Sequence, residues 1–179
     1  MTKKEIYRAG VKDLLDLCRE YLDYNPDTGD FRWKKGRGRL KAGSLAGSWA
    51  HDGYRQIKIN RRAYYAHRLA YLMVNGVMPP DMIDHIDQDR GNNKLSNLRT
   101  CHRGENSMNS KIRRDNTSGY RGVTWHKIGK KWRESICLNG RGKHLGLFNC
   151  KHEAARYYNT AARMYHGEFA QTNVINKED

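Results

Sequence analysis

Apolar residues recur at Val11, Leu14, Leu15, Cys18 and Leu22, the three- and four-residue spacing of one helix face, so an amphipathic helix is expected over Val11 to Leu22. Asn25-Pro26-Asp27-Thr28-Gly29 follows as a run of turn formers. The pattern then shortens: Phe31 to Lys34, Tyr54 to Ile59 and Arg62 to Ala66 read as strands, with Asn60-Arg61 as the expected hairpin tip. From His67 to Val74 the helical spacing returns, with Leu69, Tyr71, Leu72 and Val74 as packing candidates and Gly76 near the end. His67 and Arg68 are open to two readings, facing a ligand or serving the structure.

Pro79-Pro80-Asp81 breaks that helix, and Met82-Ile83 makes a short apolar approach to Asp84-His85. Asp87 to Asn93, polar and holding Gly91, reads as a loop, and Leu95 to Cys101 as a second extended stretch. A helix opens near His102, where Glu105 is placed to reach back to a free amide as in a capping box, although His102 is an unusual cap residue. Ser110 to Ser118 has almost no apolar residue besides Ile112 and reads as a linker. Beyond it, Tyr120 to Trp125, Lys131 to Leu138 and Lys143 to Phe148 are expected strands, separated by Gly129-Lys130 and the strong turn former Asn139-Gly140. Lys151 to His166 closes the series as a helix with Ala154, Ala155, Tyr158, Ala161, Ala162 and Tyr165 on one face. Small alanines there let a helix lie close on a sheet.

Composition narrows the partner. The 179 residues carry a net charge of +15 and only 37% hydrophobic residues, which favours small modules with modest cores and a polyanionic ligand. Arg32 to Arg68 holds eleven Lys or Arg against one acid, Asp52, whereas Asp81 to Ser110 has four basic residues against five acids. A nearly neutral centre is thus flanked by basic sequence, and Trp33, Trp49, Tyr54 and Tyr64 interleave with the charges as on a folded nucleic-acid surface. No apolar run reaches membrane-spanning length, and Met1 to Asp16 lacks the apolar block of a secretion signal. Cys18, Cys101, Cys137 and Cys150 form no Cys-x-x-Cys pair; they read as reduced thiols of a protein of the cytoplasm (the host's, if phage-encoded), with no structural zinc.

The neutral centre holds the chemistry. Asp84-His85, Asn97 and Asn106 bring a carboxylate, an imidazole and two amides into one short segment. Hydrolysis of a phosphodiester needs a base to deprotonate water and a hard cation to neutralise the phosphate. His85 titrates near working pH and suits the base. Asp84 and Asn106 offer oxygen donors that favour magnesium or manganese over zinc, which leaves Asn97 to orient the imidazole.

Asp-His, an Asn thirteen residues after the Asp and another nine further on resemble the ββα-metal motif of HNH endonucleases in its phage homing-endonuclease form. The resemblance, carried by DHIDQDRGNNKLSNLR and the following Glu105-Asn106, implies Asp84 and Asn106 as ligands of one divalent metal, Mg2+ or Mn2+, His85 as general base and Asn97 as the residue that holds it. Many such enzymes have a final His where this chain has Asn106, with His102 and Asn109 as neighbouring candidates for the same place. The implied reaction leaves 5′-phosphate and 3′-hydroxyl ends.

A second resemblance covers Asn116 to Asn173. Tyr120-Arg121-Gly122-Val123, Trp132-Arg133, Leu145-Gly146-x-Phe148, Glu153-Ala154-Ala155, Gly167 and Asn173 are similar to the APETALA2-type DNA-binding domain, in which a three-stranded sheet enters the major groove. This nominates Arg121, Trp125, Arg133, Arg141 and Lys143 for DNA contact. Trp132 is assigned to the core and Trp125 is left open between core and surface. Thr124 and His144 depart from the plant pattern of Arg and Trp, so base preference does not transfer.

The expected fold class is α+β. It comprises an N-terminal helix and basic β segment over 1–66, a ββα-metal nuclease over 67–110, a linker over 111–118, and a three-stranded antiparallel sheet packed on one helix over 119–174. The expected partner is double-stranded DNA, bound by a monomer, with no membrane and no small-molecule cofactor. A non-catalytic DNA-binding regulator and a basic RNA-binding protein are the competing readings.

Overall fold

In the computed structural model, which describes residues 3–36, 38–138 and 140–176, the chain is a mixed α+β protein with two compact units, Met1–Cys101 and His102–Asp179. Unit 1 opens with α1 (Lys3–Tyr21). Leu22, expected at the end of that helix, instead begins β1 (Leu22–Tyr24), pairs with Trp33 of β2 (Phe31–Trp33) and is fully buried. The turn between them is built by Asn25, whose Oδ1 accepts the Asp27 and Thr28 N–H groups.

A three-stranded antiparallel sheet follows: β3 (Ser48–Trp49), β4 (Arg55–Ile59) and β5 (Arg62–Tyr65), with β4 in the middle. Asn60 and Arg61 both have positive φ, 46° and 65°, as a two-residue hairpin tip requires. Alternation along β4 sends Ile57 and Ile59 into the core and Lys58 to the surface. α2 (Ala66–Asn75) ends at Gly76 in the left-handed conformation. Its buried face is Ala66, His67, Leu69, Ala70 and Leu72, whereas Val74, expected to pack, is exposed. Together with Leu15, Cys18, Leu22, Phe31, Trp33 and Ala46, these strands and α2 enclose one core. The hairpin of β6 (Met82–His85) and β7 (Leu98–Cys101) completes the unit, with a turn of 3-10 helix at Leu95–Asn97. Unit 1 thus places residues 1–66 and the hairpin in one compact body, because the turn at Asn25–Gly29 hydrogen-bonds to the hairpin's own loop.

Unit 2 begins with α3 (Arg103–Met108), where the His102 N–H donates to Glu105 Oε2 at 2.7 Å, the expected reach-back. No helix or strand interrupts 109–122. The sheet is antiparallel in the order β10, β9, β8, from β8 (Val123–His126), β9 (Lys131–Leu138) and β10 (Arg141–Phe148). Of the expected turn pair, Asn139 lies outside the described residues and Gly140 has φ 76°. α4 (Lys151–His166) covers one face of the sheet with Ala154, Ala155, Tyr158 and Ala162 buried. Tyr165, expected on that face, is half-exposed at the helix flank; its place is taken by His166, whose Nε2 lies 2.9 Å from the Cys137 carbonyl. Asn173 ties the C-terminal segment down, exchanging two hydrogen bonds with the Arg121 backbone and two with Asn159.

Candidate active site

Asp84 and His85 end β6 and are both buried although they point to opposite faces of the strand. On one face Asp84 lies across from Arg99 of β7, which donates both Nε and Nη2 to Asp84 Oδ2 at 3.0 and 2.8 Å. The pair is nearly dehydrated, so each charge depends on the other. On the other face the His85 ring meets α2 and the strand sheet, 5.2 Å from the His67 ring at 82° and 5.8 Å from Tyr54.

The loop between the strands fixes the imidazole. Asn93 Oδ1 lies 3.3 Å from His85 Nε2, and Asn93 Nδ2 donates to the Gly91 carbonyl at 3.0 Å, which sets the amide with its oxygen toward the ring. Nε2 therefore carries the proton, and Nδ1 is the basic nitrogen of that tautomer. Burial pushes the His85 pKa down, against the opposing influence of Asn93, Asp87, Asp84 and Asp89, so the imidazole is neutral at neutral pH. His67 is pushed further, to about 3, by burial and then by the nearby His85 and Arg68.

Sequence reasoning gave the task of holding His85 to Asn97. In the structure the amide at the ring is that of Asn93, and Asn97 shapes the loop that carries it. Asn97 Oδ1 accepts the Asp87 N–H at 3.0 Å, while its Nδ2 donates to Asp87 Oδ1 at 2.9 Å and the Asn92 carbonyl at 2.8 Å. Asp87 also accepts the Asn92 amide and the Asp89 N–H. The β1–β2 turn buttresses this loop: Tyr24 donates to the Asn93 carbonyl at 2.8 Å and Leu95 N–H to the Pro26 carbonyl at 2.9 Å. Gly29, at φ 77°, comes so close that a Cβ would stand 2.5 Å from the Lys94 nitrogen. Sequence alone does not identify Asn93 and Arg99, reads Tyr54 only as part of a basic aromatic surface, and leaves His67 open between facing a ligand and serving the structure; only the run of amides at Asn92-Asn93 hints at a loop built on side chains.

Asn106 lies on α3 in unit 2 and is half-buried. Among the described residues no three His, Cys, Asp or Glu side chains gather into a ready metal cage. Asp84 and Asn106 supply one carboxylate and one amide oxygen. Each is a hard oxygen donor of the kind that suits a hard cation.

In unit 2 the register sorts the residues nominated for DNA contact, because cross-strand partners share a face. Thr124, Arg133, Ser135, His144 and Leu147 point away from α4. Arg133 is exposed there. Trp125 pairs with Trp132, and Lys143 with the buried Ile136, so both lie on the α4 side; Lys143 Nζ donates to the Tyr165 hydroxyl at 3.1 Å. Arg141 pairs with Leu138 on that side, at the strand end, and Arg121 precedes β8 with its backbone tied to Asn173. Three of the five nominated side chains, Trp125, Arg141 and Lys143, are therefore off the open face. A β-bulge between His144 and Gly146 interrupts the alternation of β10.

The family model for HNH endonucleases matches residues 64–108, the stretch from β5 to the end of α3. Protein 3.8 of Escherichia phage T7 is 35% identical over 106 residues, 59% of this chain and 87% of that protein. The chain belongs to the HNH endonuclease family. Another relative is the uncharacterized HNH endonuclease L560 of Acanthamoeba polyphaga mimivirus, 34% identical over 61% of this chain and 57% of that one. The AP2-like ethylene-responsive transcription factor TOE2 of Arabidopsis thaliana is 37% identical over 62 residues, 35% of this chain and 13% of that protein. The β6–β7 hairpin is the hairpin of this HNH match, and it carries Asp84-His85 at the end of β6.

Proposed function

We propose that this HNH protein is a metal-dependent endonuclease that hydrolyses phosphodiester bonds of double-stranded DNA. The observation that carries the reading is the buried His85 imidazole with Nε2 held at Asn93 Oδ1. In this scheme His85 accepts a proton from a water aligned opposite the leaving 3′ oxygen, and the loop shaped by Asn97 keeps the ring in place. Asp84 and Asn106 would hold one Mg2+ or Mn2+, which supplies charge neutralisation at the phosphate and the leaving oxygen. Arg99 orients the Asp84 carboxylate through its two hydrogen bonds to Oδ2.

The likeness of a 62-residue stretch of the chain to a plant AP2-like factor supports a reading in which 119–174 is an APETALA2-type domain that binds a specific sequence through its sheet, joined by 111–118 to a nuclease over 67–110. Arg133 is then the leading DNA contact. One catalytic unit cuts one strand per binding event, so a monomer nicks, and a homing-type role for a phage protein in the host cytoplasm accords with the viral relatives.

A second reading, a sequence-specific regulator with a decayed nuclease, is favoured by one observation: Asp84 is already engaged by Arg99. Supercoiled plasmid separates the two. Open-circular product with 5′-phosphate ends, formed with Mg2+ or Mn2+ and stopped by EDTA, supports the nuclease. Tight binding without cutting under either metal supports the regulator, and equal competition by structured RNA would count against DNA as the ligand.

A further inference from the structure

His67 belongs to no part of the scheme above, yet it is a buried polar side chain of unit 1 whose Nδ1 has no hydrogen-bond partner among the described residues. Its ring stands edge-on to His85 with centroids 5.2 Å apart. Tyr54 flanks both imidazoles, 5.0 Å from His67 and 5.8 Å from His85. The wall is itself braced. Tyr65 stacks on His67 at 5.5 Å and 17° and donates its hydroxyl to Asp52 Oδ2 at 2.8 Å, while Asp52 Oδ1 accepts the Tyr54 N–H at 3.2 Å. Arg90 covers Tyr54 at 4.7 Å and donates to the Asp52 carbonyl. Tyr54, just before β4, and His67 of α2, itself backed by Tyr65 of β5, thus converge on the flank of one imidazole on β6.

We propose that His67 is a positioning residue for the reaction proposed above, holding the His85 ring by aromatic packing. The inference rests on that reading of His85. A hydrogen bond at Nε2 fixes one atom of the imidazole and leaves the ring able to pivot about it; flat groups packed on its flank remove that freedom. An unpartnered buried nitrogen costs stability. The role assigned to His67 is therefore carried by the shape of a neutral ring and needs no bond at Nδ1.

His67→Ala, His67→Phe and His85→Ala are compared in plasmid nicking with Mn2+, in DNA binding, in thermal melting and in the NMR signals of the His85 ring protons without metal. His67→Ala is expected to lower kcat at least tenfold and to shift those protons, with KM and Kd within twofold of wild type. His67→Phe, which keeps a flat ring, is expected to stay within about threefold in kcat. Wild-type cutting by His67→Ala overturns the role, and so does a folded His67→Phe as slow as His67→Ala, which would move the effect to the ring nitrogens. Undiminished cutting by His85→Ala would instead overturn the reading of His85 on which the role depends, so the two failures are distinct.

Discussion

Around the HNH hairpin of unit 1 most buried polar side chains have partners, Asp84 in Arg99, His85 in Asn93, and Asn97 in Asp87 and the Asn92 carbonyl, with His67 Nδ1 the exception. At the centre of unit 2, Glu134 is fully buried between the sheet and α4, and neither carboxylate oxygen has a hydrogen-bond partner among the described residues. Its cross-strand neighbours are Val123 and Gly146, which offer no side-chain donor, and burial pushes its pKa up to about 7. Polar groups buried in a closed network hold a shape that does not depend on pH over the working range. A lone buried carboxylate makes the stability of its module depend on being protonated. The first arrangement suits a site whose atoms must stay in place, whereas the second sets a pH range for the module that contains it.

The comparison is broken most strongly at the Asp84–Arg99 pair. Arg99→Ala strands a buried carboxylate and is expected to cost about 4 kcal/mol of unit 1 stability, while Asp84→Ala combined with Arg99→Ala costs less than Arg99→Ala alone. Urea unfolding of the three variants checks this, and simple additivity would show that the pair is not coupled. In unit 2 the sign is opposite. The folded pKa of Glu134, about 7, lies above its ordinary 4.5, so the folded state holds the proton more tightly. Stability is therefore highest below the unfolded value, falls as pH rises through that interval and levels off above the folded value, a loss of about 3 kcal/mol in all. Glu134→Gln should flatten this dependence and be the more stable protein at pH values above it; a wild-type profile already flat there would mean the carboxylate finds a partner. The smallest effect concerns DNA. Arg133→Ala, on the open face, should weaken binding several-fold and lower the salt slope by about 1, whereas Lys143→Ala, held on the α4 side by Tyr165, should change less. The reverse order would place the DNA on the other side of the sheet.

Much of this was legible in the chain. The Asn60-Arg61 hairpin tip, α2 with its closing Gly76, the β6 and β7 strands and α4 all follow from local spacing and turn chemistry. Local pattern does not reach the short strands β1 and β3, which exist because Leu22 and Ser48-Trp49 find partners elsewhere in unit 1. The Asp84-His85 dipeptide stood out because its residue types and spacing are chemical. Asn93 and His67 did not, since their relation to His85 arises only when the loop folds back and α2 packs against β6. The face assignment of Lys143 and Arg141 was equally hidden: it depends on the register of β10 against β9, and nothing in the alternation of Arg141 to Phe148 specifies it.

The central claim is that the neutral imidazole of His85 does chemistry rather than holding structure. Its most direct test is one sample of His85→Ala and one of wild type, each assayed for DNA affinity and for Mn2+-dependent nicking of the same duplex. The account predicts unchanged affinity with nicking reduced by at least about a hundredfold, the scale on which a general base contributes. Nicking by His85→Ala at the wild-type rate, with folding intact, would contradict it.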